Sequence, residues 1–82
     1  MLIGGQIRAA RALLRLSASE LAQRAGVGIQ TIKRFEAVDG VPPSRSSTLM
    51  DVQAALEAAG IEFIGTPDDG PGIRLRKKPP IA

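Results

Sequence analysis

The chain has 82 residues, a formal charge of +3 from 11 Lys/Arg against 8 Asp/Glu, and neither Cys nor His. That length gives one small domain, and the missing residue types exclude disulfide staples, thiolate or imidazole metal sites and imidazole acid–base chemistry, so neither a metal nor a cofactor is expected. A charge this modest does not by itself indicate a nucleic-acid partner, and with Phe35 and Phe63 the only aromatics, base stacking on single strands is disfavoured.

No apolar run reaches the length of a membrane span, and Met1 to Gly5 lacks the basic and apolar regions of a signal peptide. No membrane partner is expected, and a cytoplasmic protein is the default. Four helices and a hairpin follow in chain order.

The first helix spans about Gly5 to Leu14. Ile3, Ile7, Ala10 and Leu14 recur at helical spacing, so they form its inward face. Arg8, Arg11 and Arg15 recur on a neighbouring face, either solvated or reaching a phosphate. The second helix starts after Ser17, which with Glu20 makes an S-x-x-E capping box. It sends Leu21, Ala22 and Ala25 inward and stops at Gly26, a residue suited to the left-handed conformation after a helix.

Val27 is apolar and sits in the turn, and Gly28 is a weak N-cap for the third helix, about Ile29 to Ala37. Ile32 and Phe35 face inward, which leaves Gln30, Thr31, Lys33 and Arg34 outside. Asp39 to Pro43 reads as a loop. The fourth helix covers about Ser46 to Ala59, buries Leu49, Val52, Leu56 and Ala59, and ends at Gly60.

After Gly60 the period becomes two. Ile61 and Phe63 fall on one face, Glu62 and Ile64 on the other; Ile73 and Leu75 alternate with Arg74 and Arg76. Gly65 to Gly72, rich in Gly, Pro and Asp, predicts an open loop between two strands. The expected organisation is a helical unit over 1–60, a hairpin over 61–76 and a tail over 77–82.

The informative stretch is Ala18 to Ala37. Two helices joined by a tight turn cross steeply with their axes close, which requires a small residue at the crossing and a glycine in the turn. Ala22 and Gly26 meet those demands, and Leu21, Ala25, Val27, Ile32 and Phe35 seal the inside. The stretch from Ser17 to Glu36 resembles the helix-turn-helix of the Xre family of lambda-repressor-like regulators. The resemblance rests on Glu20-Leu21-Ala22, on Ala25-Gly26-Val27 at the turn, and on Ile32-Lys33-Arg34-Phe35-Glu36. Gln6 to Arg11 resembles the family's first helix.

The resemblance implies a mainly α, four-helix, lambda-repressor-like domain, followed here by a C-terminal β-hairpin, of bacterial or phage origin. It implies a transcriptional regulator, a repressor or autoregulator, that reads double-stranded DNA in the major groove with the third helix. Base contacts then fall to Ile29, Gln30, Thr31 and Arg34. Gln30 suits adenine, Arg34 a guanine or a phosphate, and Ile29 either meets a thymine methyl or packs at the helix edge. Phosphate contacts fall to Ser17, Ser19, Lys33, Ser44, Arg45 and Ser46. Where relatives often carry Gln and Ser or Thr, this chain has Ala18 and Gly28, which removes two positioning hydrogen bonds.

A homodimer on a pseudo-palindromic operator is expected, with Ile61, Phe63, Ile64, Ile73 and Leu75 as its contact residues if the hairpin pairs between chains rather than only packing on its own helices. The alternative function is an antitoxin that binds a toxin protein and regulates its own operon; a further one is an interaction domain that has lost DNA binding. Catalysis is not expected. The carboxylates are scattered, Asp68-Asp69-Gly70 reads as a turn, and Gly26-x-Gly28 opens a helix with no strand before it.

Overall fold

The computed structural model describes residues 2–38, 40–42 and 46–76, without the Ser46 side chain. Four α-helices precede an antiparallel hairpin among these residues: α1 (Gly4–Leu14), α2 (Ala18–Ala25), α3 (Ile29–Glu36), α4 (Ser46–Ala58), β1 (Ile61–Thr66) and β2 (Asp69–Leu75). No helix among them is long and apolar enough to cross a membrane. The expected tail over 77–82 lies outside the described residues.

Local chemistry places the helix ends. At α2 the Ser17 hydroxyl accepts the Glu20 N–H at 3.0 Å, and the Glu20 carboxylate accepts the Ser17 N–H at 2.8 Å. Two otherwise orphaned donors are satisfied reciprocally. These bonds, that from the Ser17 N–H first, hold the Glu20 carboxyl below its ordinary pKa. Gly26 follows with φ 71°, and Val27 N–H bonds back to the Ala22 carbonyl at 3.0 Å, closing the turn.

The first helix begins one residue earlier than its periodicity predicts. Gly4 belongs to it because a side chain there would strike the carbonyls of Phe35 and Val38. Only glycine lets α1 start this close to the end of α3. Arg15 lies beyond the helix rather than on its face, in a left-handed conformation with φ 58°.

Leu2, Ile7, Ala10, Leu21, Ala22, Ile32, Phe35, Leu49, Val52, Leu56 and Ile61 form one buried cluster. All four helices and the first residue of β1 contribute to it. Leu14, Ala25, Val27, Phe63 and Ile73 pack around its edge. Ala59, expected inside, is half-buried just past the end of α4.

The hairpin pairs Ile61 with Leu75, Glu62 with Arg74, Phe63 with Ile73, Ile64 with Gly72 and Thr66 with Asp69. The open loop expected over 65–72 is instead a two-residue turn, Pro67-Asp68, with an irregularity in the ladder at Gly65. Gly65 has φ 75°, and a side chain on it would strike the Gly70 carbonyl. Glycine there lets the ladder continue past the bulge, so residues that read as loop become strand.

Buried Gln6 ties the hairpin to the helices. Its Oε1 accepts the Ile3 N–H at 2.8 Å, and its Nε2 donates to the Gly72 carbonyl at 2.8 Å and the Ile64 carbonyl at 3.4 Å. The hairpin is thus fastened to the start of α1 across 58 and 66 residues of sequence.

Candidate nucleic-acid interface

α3 has two chemically distinct sides. Ile32 and Phe35 are fully buried, and Glu36 is 9% exposed. Gln30, Lys33 and Arg34 are exposed, and Thr31 is half-buried. Ile29 is 37% exposed, so it stands at the surface at the helix start. The four residues expected to contact bases therefore share one helix and leave Gln30 and Arg34, one turn apart, accessible to a partner.

The buried side is fixed by more than apolar packing. Arg11 of α1 grips the Glu36 carboxylate with both arms of its fork, Nε to Oε2 at 2.8 Å and Nη2 to Oε1 at 2.9 Å. Its Nη1 also donates to the Leu16 carbonyl at 3.1 Å. Arg8 donates to the Glu36 backbone carbonyl. The bond to Glu36 raises the Arg11 pKa further above its already high ordinary value. A bidentate guanidinium–carboxylate pair adds direction as well as energy, so it sets both the rotation and the position of α3 against α1.

This resolves the basic row of the first helix. Arg11 is spent on an internal pair, Arg8 holds a helix terminus, and Arg15 lies outside the helix. Arg74 and Arg76 share Glu62 on the outer face of the hairpin, at 3.4 and 2.6 Å. Among the described residues, no carboxylate comes within salt-bridge distance of Lys33 or Arg34. The exposed cations of α3 are thus separated from those consumed by the fold.

At the α2 start, Ser19 is exposed, whereas Ser17 already uses its N–H and a lone pair in the cap; its hydroxyl proton is left to donate outward. Ser44 and Arg45 lie outside the described residues, as does the Ser46 side chain. Gly28 caps α3 without a side chain. Its φ of −76° and the open space at its Cβ position would accommodate any small residue, so shape does not demand glycine here.

Of the five hairpin residues expected at a dimer contact, Ile61 is 3% exposed and belongs to the chain's own core. Phe63, Ile64 and Ile73 are half-buried, and Leu75 is 44% exposed. Ile61 is the first residue of the strand that follows α4, and it is buried in the same cluster as Leu56 and Val52. The sequence reading missed Arg11, Glu36 and Gln6 as structural polar residues. The E of the family-like motif was a signal for Glu36, but its partner lies 25 residues away. No protein-family model matches the chain, and no curated protein matches it.

Proposed function

We propose that this chain is a sequence-specific transcriptional regulator, a repressor or autoregulator, that inserts α3 into the major groove of double-stranded DNA. In this reading α2, the turn at Gly26 and α3 are the helix-turn-helix of a lambda-repressor-like domain of the Xre type. One observation carries it: α3 is locked on its inner side by Ile32, Phe35 and the Arg11–Glu36 pair, while Gln30, Lys33 and Arg34 stand exposed on its outer side. A helix clamped this way can present side chains to base edges at little cost in ordering them.

Gln30 has the donor–acceptor pair that matches adenine N6 and N7, and Arg34 the fork that matches guanine O6 and N7. Lys33 supplies a phosphate contact, and Thr31 a hydroxyl or a methyl. One module of this size covers little DNA, so the bound form is two copies on a pseudo-palindrome with their α3 helices about 34 Å apart.

Selection of duplexes from a random pool tests this directly. Arg34→Ala and Gln30→Ala should each weaken binding to the selected site by about 1–3 kcal/mol and relax one base position. Lys33→Ala should weaken all duplexes alike and reduce the salt slope by about 1. A pool from which no sequence is enriched, or mutants that return the wild-type consensus, would overturn the reading.

A further inference from the structure

β2 is one of the two edge strands of the hairpin, and its hydrogen-bonding phase follows from one bond. Arg76 N–H donates to the Gly60 carbonyl at 2.7 Å, one step outside the Ile61/Leu75 pair. Bonded and non-bonded pairs alternate along an antiparallel ladder. Glu62/Arg74 and Ile64/Gly72 therefore exchange bonds inside the hairpin. Ile61/Leu75 and Phe63/Ile73 turn their main-chain groups outward. On β2 the outward N–H and C=O groups belong to Ile73 and Leu75, and no backbone bond from another described element reaches them.

Beside this strand runs an open groove of about 240 Å³ between the start of α1 and β2. Ile3, Gly5, Gln6 and Ala9 wall one side, and Pro71, Gly72 and Ile73 the other, Gln6 being the one polar side chain among them; no β1 residue lines it. Leu75 lies on the same strand and the same face as Ile73, 44% exposed. The molecule thus carries an unfilled apolar groove, an exposed apolar side chain and a row of unpaired main-chain groups on one strand.

We propose that two copies of this chain join by antiparallel β2–β2 pairing about a two-fold axis at Ile73, with Leu75 of each copy covering the α1–β2 groove of the other. Only outward-facing residues can exchange bonds across such an edge, which excludes any register that sets an outward residue against an inward one. A register centred on Arg74 sets the two Arg74 side chains directly opposite each other, and like charges in that position destabilise a sheet. The register centred on Ile73 sets Arg74 opposite Gly72, and Leu75 opposite Pro71, which is itself a wall of the groove. Pro71 has no N–H to leave unpaired, and its carbonyl can accept the Leu75 N–H. The contact is self-complementary, as a two-fold interface requires, and converts a two-stranded hairpin into a four-stranded sheet with the β2 edge closed.

This pairing suits the proposed pseudo-palindromic DNA target, but it is tested without DNA, so either reading can fail alone. Sedimentation equilibrium of the full chain should show a dimer in the micromolar range. Leu75→Asp should raise the dissociation constant at least about tenfold and leave the helical circular dichroism unchanged, because Leu75 is exposed in the single chain. The chain has no cysteine, so introduced thiols report single contacts. Under oxidation, Gly72→Cys mixed with Arg74→Cys should form a cross-linked heterodimer, whereas Arg74→Cys alone should not cross-link. A wild-type chain that stays monomeric, a Leu75→Asp variant that dimerises like wild type, or cross-linking of Arg74→Cys alone in place of the mixture would each overturn the proposal.

Discussion

The helical unit and the hairpin solve the same problem by different means. The helices make most of their interactions among themselves: Ile7, Leu21, Ile32, Phe35, Val52 and Leu56 meet in one cluster, with Leu13 and Met50 left outside it, and the buried Glu36 carboxylate is held by Arg11. The hairpin leaves its interactions half made. One face seats Ile61, Phe63 and Ile73 on the helices, while Leu75 and the main chain along β2 remain open. A segment with few buried side chains and an unpaired edge contributes little to the stability of a single chain and is free to contribute to assembly. On α3 the exposed residues Gln30, Lys33 and Arg34 are polar; on β2 the exposed groups include main chain and the apolar Leu75. The first set suits a polar, charged partner, and the second another strand.

The widest gap between the two regions should come from apolar truncation. Phe35→Ala should lower stability by about 3–5 kcal/mol, through lost burial and the cavity left behind. Leu75→Ala, measured at concentrations where the chain is monomeric, should cost well under about 1 kcal/mol because that side chain already meets water. Urea midpoints of the two variants compare them directly. Equal losses would mean that the hairpin is as integral to the fold as α3.

Charge removal should sharpen the contrast at smaller scale. Arg11→Ala leaves the Glu36 carboxylate, 10% exposed, without its fork, and should cost about 1–3 kcal/mol after allowing for the partial exposure of Arg11 itself. In the proposed DNA-reading role it should also weaken binding beyond what the lost charge explains, because α3 loses its tether. Arg76→Ala removes a pair that is solvated on the hairpin surface, and no shift in the urea midpoint should be resolved. A double-mutant cycle of Arg11 and Glu36 measures the coupling, and a coupling near zero would demote the pair to a surface contact.

The smallest effect is expected from pH. The Glu20 carboxyl is held below its ordinary pKa, first by the bond from the Ser17 N–H, and the Glu62 carboxyl by its bond with Arg76. A lowered folded-state pKa stabilises the fold above the unfolded carboxylate pKa. That contribution is lost as the pH falls through the ordinary carboxylate range toward the lowered values. Stability should therefore decline between about pH 5 and pH 3, and less steeply in Glu20→Gln and Glu62→Gln than in wild type. Identical pH profiles for wild type and both variants would show that the two bonds do not persist in solution.

Much of the candidate site was legible in the sequence because its signals are local. Ser17 and Glu20 are three residues apart and cap the same turn, and Gly26 ends the helix whose last turn it closes. The exposed set Gln30, Lys33 and Arg34 followed from the buried spacing of Ile32 and Phe35 on the same helix. The row of arginines on α1 was not legible in this way. Periodicity places Arg8 and Arg11 on a face but says nothing of what faces them, and the partner of both is Glu36 on another helix.

The sequence alone determined the elements: helix period, a capping box and a turn glycine act over a few residues, so their physics is complete within a short window. It also determined which face of α3 points outward, since burying Ile32 and Phe35 leaves no other choice. Tertiary structure decided the rest. Gly4 had to be glycine because α3 ends against it, and Gln6 became a buried tether because the Ile64 and Gly72 carbonyls reach it from the far end of the chain. The stretch from Gly65 to Gly72 became mostly strand once pairing with the opposite strand repaid residues that have little strand propensity of their own. These outcomes depend on main-chain groups and side chains distant in sequence meeting in space, and no local pattern encodes which of them will meet.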